Sequence, residues 1–106
     1  MSIADVTTII NNVLVADAKA DLTKSIKTSK EKLNVCKDLL DELDSNHDQT
    51  ELWDMVSHIE TMILFIEATI YYAATEDDIR NCQVAIISID SELATLNERI
   101  NQMMYG

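Results

Sequence analysis

Proline is absent from this chain of 106 residues, and its single glycine is the last residue, Gly106. Without either breaker, nothing local interrupts long helices. Aromatic residues are also few, one Trp, three Tyr and one Phe, which removes much of the usual strand vocabulary. The expected fold class is therefore all-α. Two cysteines, Cys36 and Cys82, lack Cys-x-x-Cys spacing, which argues against both a zinc framework and a disulfide scaffold and points to a reducing compartment. Bases are scarce too, 8 against 19 acids, for a formal net charge of −11. That balance disfavours phosphate-directed nucleic-acid binding and attraction to anionic membranes. The start, Met1 to Asp5, lacks the basic residues of a secretory signal. The most apolar run, residues 61–74, contains Glu67 and is shorter than the ~20 residues that span a bilayer. The expectation is one soluble, cytoplasmic domain with no membrane partner.

Heptad spacing supplies the architecture. In the first segment Leu22, Ile26, Ser29, Leu33, Cys36, Leu40 and Leu43 recur at alternating steps of four and three. In the central segment Leu52, Val56, Ile59, Ile63, Ile66, Ile70 and Ala73 do the same. A third seam runs Ile79, Cys82, Ile86, Ile89, Leu93, Leu96, Ile100 and Met103. Residues 44–51 read as a loop, with Asp48 and Glu51 as a capping pair, and Thr75 has the form of a new N-cap followed by acids, Glu76 to Asp78, that suit a helix N-terminus. Two short connections predict an up-down-up antiparallel three-helix bundle over residues 19–106, with helices at about 19–44, 49–74 and 76–104. On this alignment Cys36 and Cys82 lie roughly 16 Å apart along the axis, too far for a bridge.

Residues 1–18 exceed what the other helices can cover. They form either a helical extension of about 25 Å, serving as an oligomerisation arm, or a short fourth helix that folds back. The rhythm slips between the two parts: Ile10, Leu14, Ala18 and Leu22 follow successive four-residue steps, a stutter that predicts a change of twist or a break at residues 17–21.

The apolar residues left over point to a protein partner. Ile3, Val6, Ile10, Val13 and Leu14 on the arm, with Ile9 beside them, lack cover, as do Leu64, Phe65, Ala68, Tyr71 and Tyr72 on the central helix. The expected function is a small acidic protein–protein interaction module. It would self-associate, hold a helical client, or both, by helix-in-groove packing with Phe65, Tyr71 and Tyr72 as anchors. The alternative uses the acidic tip of Asp41, Glu42, Asp44, Asp48 and Glu51: an inhibitor that mimics nucleic acid and blocks a basic site on a target protein.

Chemistry-bearing patterns are weak. Asp44, Asn46 and Asp48 resemble half of a calcium loop, but Gln49 stands where Gly belongs and Met55 where the closing Glu belongs. Glu51, Asp54 and His58 share one helix face without the facing Glu-x-x-His motifs of di-metal bundles, and read as a solvated face. Glu67 reads as an edge carboxylate that reaches water or bonds to Tyr71 or Thr69; the sharper reading makes it a register-fixing group at a subunit interface. No catalytic arrangement of Ser, His and Asp or of Cys and His occurs, nor any glycine-rich phosphate loop. Neither an enzyme nor a cofactor is expected.

Overall fold

The computed structural model describes residues 2–43 and 48–105. It consists of α1 (Ile3–Glu42), α2 (Thr50–Tyr72) and α3 (Glu76–Tyr105), each packed on the other two, with no strand among the described residues. Cross-helix ion pairs fix the directions. Lys30 and Lys37 of α1 meet Glu67 and Glu60 of α2, while Glu51 and His58 of α2 meet Arg99 and Glu92 of α3. Rising numbers on one helix match falling numbers on the next, so the bundle runs up, down and up.

Each helix end has a local cause. Ser2 accepts the Asp5 N–H while the Asp5 carboxylate accepts the Ser2 N–H, both at 3.2 Å, so an acid closes the capping box of α1. α1 stops where Leu43 turns to an extended backbone. At the start of α2 the Thr50 N–H donates to Asp48 Oδ1 at 3.0 Å, which holds the Asp48 carboxyl below the usual carboxylate range. Glu51 does not complete a cap with Asp48; it reaches Arg99 on α3 instead. Ala73 is again extended and ends α2. Thr75 and Asp78 then form a reciprocal cap for α3, the Asp78 N–H donating to Thr75 Oγ1 and the Thr75 N–H to Asp78 Oδ2, both at 3.1 Å.

The three heptad seams make the core. Leu40, Leu52, Ile59, Ile89, Leu96 and Ile100 are fully enclosed, and Leu43 and Met103 at the seam ends are half-buried. Ser29 is the one buried polar residue among the described residues. Its hydroxyl donates to Asp90 Oδ1 at 2.7 Å, with the Ser25 carbonyl at 3.2 Å, and so pins α1 to α3 in register. Glu67 finds neither Tyr71 nor Thr69. It sits 3.4 Å from the Lys30 ammonium across the α1/α2 groove, while the Thr69 hydroxyl donates to the Phe65 carbonyl.

Length then divides α1. Its 40 residues span about 60 Å, whereas the 23 of α2 span about 35 Å. The end of α2 is marked by Lys19, whose Nζ donates to the Tyr71 carbonyl at 2.9 Å. Val15 and Ala18 are the last α1 side chains packed on the core, and the preceding residues project beyond it along a 69 Å long axis. α1 is continuous through residues 17–21, so neither a break nor a separate fourth helix forms there. Ala16, Ala18, Lys19 and Ala20 favour the helix through that stretch, and the stutter is absorbed within it.

Replacing the enclosed Leu96 with Ala is expected to cost about 2–5 kcal/mol, and replacing the exposed Val35 less than about 0.5 kcal/mol. Urea unfolding of the two variants measures both; equal losses would mean that α3 does not carry the core as described.

Candidate interaction surface

The projecting part of α1 is apolar on a face of its own. Exposure there runs from 42 % at Val6 to 88 % at Ile3, with Ile9, Ile10, Val13 and Leu14 each about half exposed. The bundle seam, continued backwards from Leu22, passes through Lys19, Val15, Asn12, Thr8 and Asp5 and becomes polar. At 100° per residue the stripe of Ile3, Val6, Ile10, Val13 and Leu14 lies roughly 150° around the helix from that seam. Lengthened α2 and α3 helices would therefore not cover it.

Local propensity points the same way. Eight of the thirteen residues 3–15 are Val, Ile or Thr, and two more are Asn11 and Asn12, so this stretch favours the helix weakly. Continuity with the bundle and the Ser2 cap support it from the two ends, and the Thr7 and Thr8 hydroxyls fold back onto the Ile3 and Ala4 carbonyls. The apolar stripe itself is exposed and packs on nothing in the bundle.

The second expected surface lies at the same end. Leu64, Phe65, Ala68, Tyr71 and Tyr72 are all exposed on the last turns of α2, next to the root of the arm. The Tyr71 and Tyr72 rings meet edge to face, with centroids 5.0 Å apart. Val84 and Ile87 on the early part of α3 are 62 % and 69 % exposed and extend the apolar character of this end. They lie three residues apart and off the heptad seam that runs through Cys82, Ile86 and Ile89.

The remaining candidates take plainer roles. Glu51, Asp54 and His58 line a shallow groove between α2 and α3, where Glu51 pairs with Arg99 and His58 Nε2 lies 3.5 Å from Glu92. Among the described residues, no three His, Cys, Asp or Glu side chains are grouped to hold a metal ion. Cys36 and Cys82 are free and buried, and burial pushes both thiols up, away from the reactive thiolate. In the acidic tip Asp41, Glu42, Asp48 and Glu51 are exposed at the end of the bundle opposite the arm. Asp44 and Asn46, two of the three residues of the half calcium loop, lie outside the described residues. No described helix is long and apolar enough to cross a membrane. No protein-family model, curated protein or solved structure matches the chain.

The α2–α3 junction is closed by a single carboxylate. Asp78 Oδ2 accepts the Ala74 N–H at 3.0 Å and the Thr75 N–H at 3.1 Å; the Ala74 amide foremost, with Thr75 adding to it, holds the Asp78 carboxyl below the usual range. A carboxyl whose pKa is lowered by folding stabilises the fold above its unfolded pKa, and that contribution disappears as pH falls through the folded value. Asp78→Asn is accordingly expected to melt below wild type at pH 7, with the gap closing in strong acid. A gap independent of pH in thermal melts would contradict this role.

Proposed function

We propose that this chain is a protein–protein interaction module, non-enzymatic and acidic, that associates with copies of itself through the N-terminal arm. The exposed α2 face, with Phe65, Tyr71 and Tyr72 as anchors, offers a second surface for a copy or for a helical client. One observation carries the reading: the six aliphatic residues Ile3, Val6, Ile9, Ile10, Val13 and Leu14 project past the bundle on a face turned away from its seam. Fully burying one exposed side chain of this kind is worth about 1.5–3 kcal/mol; five of the six are about half exposed and offer roughly half of that each, which still sums to a driving force of several kcal/mol. Aromatic residues near the centre of an apolar patch concentrate interface energy, which fits the composition of the α2 face.

The acidic end supports a second reading, a surface that engages a basic site on a target protein. There Asp38, Asp41, Glu42, Asp48 and Asp54 are all exposed, and Glu51 is paired with Arg99. Such binding would be strongly salt-dependent, which separates it from apolar assembly.

Light scattering coupled to size exclusion tests the primary reading on the full chain and on a chain starting at Asp17. The buried core begins at Leu22, so the shorter chain retains it. An oligomer that becomes a folded monomer on truncation is the expected result; a full-length monomer at all concentrations would contradict self-association. Phe65→Ala with Tyr72→Ala, both well exposed, should leave the helical signal and melting of the bundle intact while weakening whatever docks on α2.

A further inference from the structure

Resting on the self-association reading, we infer that two copies pair their arms antiparallel about a two-fold axis, with Ile3 of one copy against Val13 of the other and Val6 against Ile10. The stripe is symmetric in spacing. Ile3, Val6, Ile10 and Val13 are separated by three, four and three residues, so reversing one arm reproduces the same pattern and matches each aliphatic residue with another. A two-fold contact needs this kind of self-complementarity.

Length fits the same arrangement. In this register Lys19 of one copy, which marks the root of its arm, falls a few residues beyond the N-terminus of the other arm. The two arms therefore lie side by side over their full length without either running into the opposite bundle. The Tyr71 and Tyr72 pair at the end of α2 in each copy is then within a turn or two of the other copy's first residues.

Charge selects antiparallel over parallel. Among residues 2–18 the charged residues are Asp5 and Asp17, and Asp17 lies on the line of the apolar stripe. A parallel pair would set Asp17 against Asp17 and carry the outer face of α1 onward into like-charge meetings at Lys24 and Glu31, with two chains of net charge −11 alongside each other. In the antiparallel pair Asp17 lies past the end of the opposite arm, and the two acidic bundles point to opposite ends of the dimer. The area also suffices. Six half-exposed or more exposed aliphatic residues offer on the order of 600 Å² per arm, at about 100 Å² each. Two arms thus reach the ~1,200 Å² at which standard specific interfaces begin.

Two measurements on the full chain test the arrangement together. Small-angle scattering should give a maximum dimension of about 115 Å, two 69 Å molecules overlapping by their arms. Mixing Val6→Cys chains with Ile10→Cys chains under oxidation should yield the mixed disulfide in preference to either homodimer, the native thiols being buried. A dimer about 70 Å long, or one in which Val6→Cys links chiefly to itself, would overturn the antiparallel pairing while leaving self-association standing. A monomer in scattering would overturn both.

Discussion

Mutual burial of three heptad seams holds this fold together, and the shortest seam sets its limit. The seam residues Leu52, Val56, Ile59, Ile63, Ile66 and Ile70 of α2 are all buried because α1 and α3 flank them along their length. Where α2 ends, the enclosure ends, and Leu22 is the first buried residue of α1. Helix formation does not stop at the same point. The backbone continues in register from Leu22 back to Ile3, since nothing in the intervening sequence breaks it. The mismatch between where helix persists and where packing persists creates the arm.

That mismatch also gives the molecule two unlike ends along its 69 Å axis. At one, aliphatic and tyrosyl side chains stand in water around the α2–α3 junction, where Thr75 and Asp78 lock the turn. At the other, carboxylates dominate. Most bases lie on α1, and Lys30 and Lys37 are engaged by Glu67 and Glu60, which leaves the acidic excess exposed. The pairs are largely solvated, so they fix register more than they add stability. Ser29 against Asp90 is the exception by position, a polar pin within an aliphatic seam.

Much of this was legible in the residues because heptad spacing and burial are the same periodicity seen from two sides. Leu33, Ile63 and Ile89 announce their burial by position alone. The stutter through Ile10, Leu14, Ala18 and Leu22 likewise marks where the apolar face of α1 leaves the seam. Pairings across helices were less accessible. Glu51 with Arg99 and Glu67 with Lys30 depend on the exact level at which neighbours sit, which a shift of three residues would change. Val84 and Ile87 lie off the heptad seam of α3, three residues apart on one face, and their exposure follows from the way α3 packs.

If residues 3–14 pair with a second copy, amide hydrogen exchange read at a series of protein concentrations reveals it. Isolated, this β-branched stretch should open readily. Its amides are predicted to slow markedly as concentration rises, while those around Ile59, Ile89 and Leu96 keep the same protection throughout. Exchange in the arm that is equally fast at every concentration would mean that residues 3–14 do not pair.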